Sequence, residues 1–208
     1  MIELLNCDCM EYMATLPDKT FDLCLTDPPY GVNLDYSTYN DTEENWYDLM
    51  NRFIPEARRV AKMVIMPSCQ IKRLGWFYKN HTPDWLMCWH KGSTGCASFI
   101  GFNDWEPLVV YGKTKNQLYM HDYLSLTNSE KLGKYGHPCP KPVMWSKIIL
   151  RNCLPDKGRV FDPFLGSGSS AIAAHYFGCD FVGCEIDVDY FNAAKERFDR
   201  ETRQVAMW

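Results

Sequence analysis

Residues 159–170 read Arg-Val-Phe-Asp-Pro-Phe-Leu-Gly-Ser-Gly-Ser-Ser, and this stretch decides the fold class. Its first three residues have the apolar pattern of a short strand, and residues 169–177 have the pattern of a helix. Between them, Gly166 and Gly168 predict a tight turn, because glycine adopts positive φ and lets a ligand approach the backbone closely. A strand that enters a helix through such a turn is typical of an α/β fold.

The same alternation of strands and helices runs through most of the chain. Strands are predicted at 2–5, 21–26, 63–66, 84–89, 107–111 and 181–184, and helices at 43–60, 142–153 and 188–198. Crossovers of this kind predict a mostly parallel sheet with helices on both faces. Ligands of such sheets bind beyond the carboxyl ends of the strands, so the segments that leave strand ends are where chemistry is expected.

Composition indicates one globular domain covering residues 1–208. The chain is 46% hydrophobic and 23% charged, and no apolar run reaches the roughly 18 residues that a membrane span needs. The first residues show no signal-peptide pattern, so we expect a cytoplasmic protein without membrane contact. Its 10 cysteines form no Cys-x-x-Cys pair, which predicts reduced, mostly buried thiols and no metal site.

The net charge of −4 hides an asymmetry along the chain. Residues 1–50 sum to −10, residues 51–157 to +9 and residues 158–208 to −3. A basic middle segment is compatible with a nucleic-acid partner. The candidate phosphate contacts are Arg52, Arg58, Arg59, Lys72, Arg73, Lys79, Lys113, Lys115, Lys131 and Lys134.

The glycine turn lacks a phosphate-binding signature. Position 171 is alanine, which breaks the dinucleotide pattern Gly-x-Gly-x-x-Gly, and no lysine follows Gly168 as a Walker A loop requires. The next predicted strand ends in Glu185, whose carboxylate can accept hydrogen bonds from both hydroxyls of a ribose. Together these features predict a ligand that contains a nucleoside and that the protein binds without contacts to a phosphate group.

A second strand ends in Asp27-Pro28-Pro29-Tyr30. Two consecutive prolines fix φ twice, so the turn is stiff and holds an acceptor and a flat ring in a fixed relation. The Asp27 carboxylate and the Pro28 carbonyl can accept hydrogen bonds from one amino group while Tyr30 stacks on the ring that carries it. An exocyclic amine of adenine or cytosine fits this arrangement.

A third segment, His137-Pro-Cys-Pro-Lys-Pro142, by itself predicts only a capped helix entry with polar contacts from His137 and Lys141.

These three segments, in this order, resemble the motifs of the amino-methylating DNA methyltransferases that use S-adenosylmethionine, the N6-adenine and N4-cytosine family. Residues 27–30 resemble the catalytic motif, 137–142 the segment that closes the cofactor pocket, and 161–170 the cofactor loop. The order is that of the β group, in which the sheet is circularly permuted. The resemblance implies a Rossmann-like methyltransferase sheet and DNA as substrate, with a short target-recognition insert around 113–136.

The resemblance also implies residue roles. Asp27, Pro28, Pro29 and Tyr30 are the expected catalytic residues, with Asp27 also at the cofactor. Asp8 is expected at the cofactor's adenine amino group beside Cys9 and Met10, and Glu185 at the ribose with Ile186 on the adenine. The remaining expected cofactor contacts, most of them around the methionine part, are His137, Lys141, Phe161, Asp162, Pro163, Phe164, Gly166, Ser167, Gly168 and Ser169.

The implied activity is site-specific methylation of N6 of adenine in duplex DNA by in-line attack of a flipped base, as in restriction-modification systems. Aspartate at the first motif position favours adenine, whereas serine is commoner in N4-cytosine enzymes. The alternatives are N4-cytosine methylation, an RNA substrate, or an inactive nucleic-acid-binding subunit. Protein glutamine methylation is disfavoured, because that family's motif begins with asparagine and its glycine loop precedes the motif. A covalent mechanism through Cys139 is disfavoured, because prolines flank this cysteine within the segment 137–142. A homodimer is a further expectation, as is ordering of the polar stretch 31–45 over the flipped base.

Overall fold

The structure, a computed structural model, describes residues 1–92, 100–113, 121–127, 139–154 and 157–203. Within these ranges eight strands form one mixed sheet in the order β1-β8-β7-β2-β3-β5-β4-β6. The strands are β1 (Ile2–Asn6), β2 (Phe21–Leu25), β3 (Ala61–Pro67), β4 (Trp85–His90), β5 (Trp105–Tyr111), β6 (Tyr123–Ser125), β7 (Arg159–Asp162) and β8 (Asp180–Glu185).

The five strands from β1 to β3 in this order run parallel, and β5 runs antiparallel to both β3 and β4. The first strand of the chain pairs with the last one, with Asn6 opposite Glu185. The strand that enters the glycine turn, β7, is central in the sheet although it comes late in the chain. This is the circularly permuted order that the motif order predicts.

Helices cover both faces of the sheet. They are α1 (Cys9–Ala14), α2 (Glu43–Val60), α3 (Leu74–Asn80), α4 (Val143–Cys153), α5 (Ser169–Phe177) and α6 (Val188–Thr202). Consecutive strand residues point to opposite faces, so Ile65 packs with one helix layer and Val64 with the other. One core contains Trp145, Ile149, Ala171 and Ala194 from α4, α5 and α6; the other contains Met13, Trp46, Phe53 and Phe77 from α1, α2 and α3.

The predicted α/β fold is confirmed, and each predicted strand and helix overlaps an observed one. The N-cap of α2 is Thr42, whose hydroxyl accepts from the Asn45 amide. The residue patterns did not indicate α3 or β6. The reason is local: α3 has seven residues without a side-chain cap, and β6 has three residues and forms only because β4 lies beside it. No helix among the described residues is long and apolar enough to cross a membrane.

The carboxyl edge of the sheet collects the polar segments. Asp8 follows β1, Glu185 ends β8, the glycine turn follows β7 and Asp27 follows β2. Because β5 is antiparallel to β3, its first residues reach this same edge, and so does the end of β4. Glu106, near the start of β5, therefore lies on the same side of the sheet as Asp27.

Candidate active site at the carboxyl edge of the sheet

A cavity lies at this edge, and the three sequence motifs form its walls. Its lining combines the turn after β2, the acids after β1 and β8, the start of the glycine turn and part of the segment before α4. A smaller cavity continues beneath it toward the serines of the glycine turn and shares Asp27 and Lys141 with the first. The two motifs that the sequence analysis assigned to base and cofactor therefore face one continuous space.

Asp27 is held by a lysine from the other half of the chain. Lys141 Nζ lies 2.5 Å from Asp27 Oδ2, and the same ammonium group lies 4.9 Å from the centre of the Tyr30 ring. Burial opposes the charge on Lys141, but the neighbouring Asp27 carboxylate outweighs it, so the pKa of Lys141 is above its ordinary value. The second oxygen, Asp27 Oδ1, is buried and has no hydrogen-bond partner among the described residues. One carboxylate oxygen is thus fixed and the other is left as an acceptor.

The turn that presents Asp27 and Tyr30 is supported from behind by Arg73. Its guanidinium donates to the carbonyls of Tyr30 and Gly31, and it stacks over the Trp46 ring at 4.0 Å. Only 1% of Arg73 is exposed, so it cannot contact DNA phosphates, and its place among the predicted phosphate contacts is wrong. Sequence reasoning missed this role because a lone arginine after a strand carries no signal for a backbone-carbonyl partner.

The Arg59 guanidinium is also bound by groups of the protein itself. It donates to the carbonyls of Leu16 and Met13 at 2.7 Å each, and it pairs with Asp18 and Glu56. Lys115, Lys131 and Lys134 lie outside the described residues. Of the proposed phosphate contacts that the structure describes, Arg52, Arg58, Lys72, Lys79 and Lys113 have exposed side chains.

The glycine turn after β7 is fixed by a buried arginine of α6. Arg197 donates to the carbonyl of Ser167 at 2.9 Å and to the hydroxyl of Ser169 at 2.9 Å. Ser169 in turn donates to the carbonyl of Lys141 at 2.6 Å. These bonds join the glycine turn to the segment that carries the lysine partner of Asp27. Gly168 has φ +77°, and a Cβ there would meet Ala194, so its role is backbone conformation and packing on α6.

Asp162 organises the same turn with both of its oxygens. Oδ1 accepts from the Thr26 hydroxyl at 2.6 Å and from the Phe164 amide at 3.1 Å, and Oδ2 accepts from the Ser170 hydroxyl. Burial raises the pKa of Asp162 to about 6, although the hydroxyls of Ser170 and Thr26 oppose this rise. The side chain also lines the smaller cavity.

The raised pKa of Asp162 predicts a pH effect on stability. The folded protein binds this proton more tightly than the unfolded chain, so the free energy of unfolding falls as pH rises between the two pKa values. Relative to Asp162→Asn, the wild type is expected to lose about 3 kcal/mol as pH rises from below 3.8 to above 6. Urea denaturation across this range measures the difference. The exposed control Asp189→Asn should follow the wild type at every pH, and an Asp162→Asn profile parallel to the wild type would contradict the assignment.

Two acids line the cavity at the ends of the neighbouring strands β1 and β8. Asp8 caps α1 by accepting from the Met10 amide at 2.6 Å. Glu185 accepts from the amides of Gly166 at 2.9 Å and Asp187 at 3.0 Å, and burial raises its pKa. A carboxylate has about four acceptor positions, so Glu185 retains acceptor capacity beyond these backbone bonds. The two acids therefore fit a nucleoside that donates from an amino group to one of them and from ribose hydroxyls to the other.

Most residues that the sequence analysis assigned to the site line one of the two cavities. They are Asp8, Cys9, Met10, Asp27, Pro28, Pro29, Tyr30, Lys141, Asp162, Pro163, Phe164, Gly166, Ser167, Ser169, Glu185 and Ile186. Phe161 is a correction: its ring is fully buried and stacks on Phe21 at 4.7 Å, so it supports the turn from the core and does not line either cavity. Gly168 does not line them either, and His137 lies outside the described residues.

A loop after the Asp27–Tyr30 turn covers the cavity. Tyr36 and Tyr39 line it from above, and Ser37 donates to Asp187, the N-cap of α6. Sequence reasoning expected this polar stretch to order over the flipped base. The structure joins it to the start of α6 through Ser37, and burial together with the nearby charge of Asp27 raises the pKa of Tyr36. Its ordering over a base stays a prediction.

Asp41 anchors this loop. The side chain is 2% exposed, and it accepts from the amides of Gly31 at 2.6 Å, Val32 at 3.0 Å and Leu34 at 3.1 Å. One carboxylate thus satisfies three backbone donors that the loop conformation leaves unpaired. The aromatic cover of the cavity depends on this carboxylate.

Asp41→Ala is expected to release the loop. Three amides lose their acceptor, each bond to a charged group being worth about 1.5–3 kcal/mol, so proteolysis within residues 31–41 should accelerate and affinity for S-adenosylmethionine should fall about tenfold. Limited proteolysis and calorimetric titration measure the two effects. The matched control Asp35→Ala removes an exposed acid of the same loop. Equal proteolysis and affinity in both variants would show that Asp41 does not anchor the cover.

Cys139 lies in the cavity wall next to Lys141. Burial raises the pKa of its thiol, and the opposing charge of Lys141 does not reverse this. A thiol with a raised pKa is a poor nucleophile near neutral pH, because the thiolate is the reactive form. The structure therefore agrees with the prediction that Cys139 does not act as a covalent catalyst.

A permuted Rossmann-like sheet, with an Asp-Pro-Pro-Tyr turn and two strand-end acids lining one cavity at its carboxyl edge, is the arrangement expected of an amino-methylating DNA methyltransferase. The sequence model of the DNA methylase family N6_N4_Mtase matches residues 21–196, and this chain belongs to that family. Members transfer a methyl group from S-adenosylmethionine to an exocyclic amine, so this is the cofactor of the chain.

Known proteins agree with this assignment. The type II methyltransferase M.HinfI of Haemophilus influenzae is 26% identical over 246 residues, which cover 93% of this chain and 67% of M.HinfI. The crystal structure of the M1.HpyAVI–SAM complex has a TM-score of 0.67 at 22% identity, covering 96% of this chain and 100% of that one. The PvuII DNA methyltransferase, a cytosine-N4-specific enzyme, has a TM-score of 0.70 at 14% identity, covering 97% and 90%.

Proposed function

We propose that this chain methylates N6 of adenine in DNA. The observation that carries the proposal is the arrangement of Asp27: Lys141 binds Oδ2 at 2.5 Å, and Oδ1 is buried and has no hydrogen-bond partner in the part of the chain that the structure describes. A buried acceptor left open is costly in the free protein, and an amino group satisfies it. Aspartate at this position resembles the adenine enzymes of the family.

The reaction needs the amine to become a better nucleophile. Its lone pair is delocalised into the base ring, and hydrogen bonds from its two protons to Asp27 Oδ1 and the Pro28 carbonyl favour the tetrahedral geometry that localises the pair. The bound cofactor supplies an electrophilic sulfonium methyl group. The stiff turn holds the acceptors in place before the base arrives, so positioning and preorganised electrostatics provide most of the acceleration.

Extrusion of the base costs a few kcal/mol. Stacking on the Tyr30 ring returns about 1–3 kcal/mol of this cost. The ring is available for stacking because Tyr30 lines the cavity, and the Arg73 guanidinium fixes the backbone that carries it. A mismatched or unpaired target should bind more tightly, since less pairing energy is lost.

We assign the nucleoside end of the cofactor to the two acids. Asp8 accepts from the adenine amino group between Cys9 and Met10, Glu185 accepts from the ribose hydroxyls, and Ile186 packs on the adenine. The methionine end lies toward Lys141 and the glycine turn, where Asp162, Pro163, Phe164, Gly166, Ser167 and Ser169 line the cavities. Gly168 supports this turn through its backbone, and the contact from His137 stays a prediction.

N4 of cytosine is the second candidate, because the cytosine-N4-specific PvuII enzyme shares the fold. Both bases present an exocyclic amine to the same two acceptors. Mass spectrometry of nucleosides from DNA treated with the enzyme and S-adenosylmethionine separates them. N6-methyladenine supports the proposal, N4-methylcytosine replaces it with the second candidate, and methylation of RNA in preference to DNA overturns the substrate. Binding of S-adenosylmethionine without any product would identify an inactive subunit.

The target-recognition segment around 113–136 falls mainly outside the described residues, which include only 113 and 121–127 of it. We propose that this short segment, with the exposed basic residues of the middle of the chain, contacts duplex DNA. A single domain over residues 1–208 and a homodimer that adds DNA contacts from a second copy stay proposals. Sedimentation with and without a DNA duplex tests the dimer.

A further inference from the structure

Glu106 is a buried acid at the catalytic edge of the sheet that the proposed reaction does not use. It lies near the start of β5, opposite Trp89 of β4, and is 8% exposed. One oxygen, Oε2, pairs with Lys91 Nζ at 3.6 Å. The other oxygen, Oε1, is buried and has no hydrogen-bond partner among the described residues. A buried carboxylate oxygen without a donor is costly, so its position needs an explanation.

The explanation lies at the Tyr30 ring. The Tyr30 hydroxyl is also buried and also without a hydrogen bond of good geometry among the described residues. Burial raises the pKa of this hydroxyl, the charges of Asp27 and Glu106 raise it further, and a side-chain contact with Glu106 adds to the effect. Glu106 and Tyr30 are therefore neighbours, one with an open acceptor and the other with an open donor.

We propose that Glu106 is a positioning residue that accepts a hydrogen bond from the Tyr30 hydroxyl and so sets the plane on which the target base stacks. This inference rests on the proposed function, because it assigns Tyr30 to the base. In free enzymes such bonds are often long or poorly aligned and tighten in the substrate complex. The hydroxyl is the only polar group of the Tyr30 side chain. A hydrogen bond to it fixes the orientation of the ring, which the contact of Arg73 with the backbone does not determine.

Lys91 is the charge partner of Glu106. Its side chain is 18% exposed and follows β4, so it neutralises Glu106 while keeping contact with water. Asp27 and Lys141 form a second acid–lysine pair, and its ammonium group lies 4.9 Å from the centre of the Tyr30 ring. In the proposed arrangement one pair serves the amine of the base and the other serves the Tyr30 hydroxyl. Glu106 does not line the cavity and acts through Tyr30.

The test compares Glu106→Leu with Glu106→Gln. Leucine removes the acceptor, and kcat on duplex DNA is expected to fall about tenfold, the value of a buried hydrogen bond to a charged group. Glutamine retains an amide oxygen, so its kcat should stay within about twofold of the wild type. Affinity for S-adenosylmethionine should be unchanged in both variants, which a general packing defect at this edge would not produce. The exposed control Glu196→Leu should match the wild type throughout.

A double-mutant cycle identifies the partner. Tyr30→Phe should lower kcat as much as Glu106→Leu, and the double variant should lose no more than either single variant. The same cycle on unfolding free energies measures the contact without any catalysis. Three results would overturn the inference. The first is a double variant whose loss of kcat is the product of the two single losses, and the second is a wild-type kcat in the isosteric Tyr30→Phe variant. The third is a coupling free energy of zero between the two residues in the unfolding cycle. A wild type that methylates no base overturns the proposed function instead, and the unfolding cycle still decides whether the contact exists.

Discussion

Asp27→Ala is expected to lower kcat for DNA methylation at least 10²–10³-fold, the loss typical of removing one preorganised group that acts on the transition state. The variant loses the open acceptor Oδ1 and also leaves the Lys141 ammonium buried without its partner. Asp27→Asn keeps the shape and one acceptor oxygen, so an intermediate activity is expected. Calorimetric titration of S-adenosylmethionine should show affinities within a few-fold of the wild type for both variants, because the proposed contacts of Asp8 and Glu185 to the nucleoside end are unchanged.

Activity has to be compared under conditions in which each variant is folded, which circular dichroism establishes. The matched control is Asp199→Ala, which removes an acid with a 46% exposed side chain that pairs with Arg203 four residues further along. Such a surface pair is worth about 0–1 kcal/mol. Turnover by Asp27→Ala near the wild-type rate would refute the assignment of Asp27 to the reaction.

Lys141→Met is expected to destabilise the protein by about 3–5 kcal/mol, because it leaves the Asp27 carboxylate buried without a counter-charge. The pKa of Lys141 is above its ordinary value of 10.5, so the folded state binds this proton more tightly than the unfolded chain. The charged lysine therefore stabilises the folded state below pH 10.5, and this stabilisation is lost only as pH rises above that value. Without the lysine, Asp27 Oδ2 loses the donor that fixes the carboxylate, so kcat should also fall. Urea denaturation and steady-state kinetics measure the two effects.

The double variant Asp27→Asn/Lys141→Met separates charge from packing. With both charges gone, most of the lost stability should return, while methylation should stay low because the carboxylate is absent. Lys195→Met, an exposed lysine of α6, is the control. Additive destabilisation in the double variant, or a wild-type kcat in Lys141→Met, would show that the two groups are not coupled.

Local patterns were sufficient to predict most of the strands and helices and the motif residues, but they did not indicate α3 or β6. The Asp27–Tyr30 turn is predictable because two prolines restrict the chain whatever surrounds them. The glycine turn is predictable because Gly168 needs positive φ, at +77°. Phe161 shows the limit of such reasoning: its neighbours in sequence line the cavity, but strand alternation turns its ring into the core, where it stacks on Phe21.

Charge patterns were less informative than residue order. The basic middle of the chain suggested a DNA surface, yet Arg73 is buried under the catalytic turn and Arg59 is bound to the carbonyls of Leu16 and Met13. A guanidinium can serve a phosphate or a backbone carbonyl equally well, since both accept its donors. Only the surrounding backbone decides which acceptor is near.

The sequence by itself determined the α/β class, the motifs and their permuted order, because these depend on residue types and on spacing over a few residues. Tertiary structure alone decided the pairing of Asp27 with Lys141, which are 114 positions apart, and the approach of Glu106 to Tyr30. It also decided that the loop anchored by Asp41 brings Tyr36 and Tyr39 to the cavity wall. The physical reason is that such contacts follow from strand order in the sheet, where the reversed direction of β5 brings its first residues to the catalytic edge.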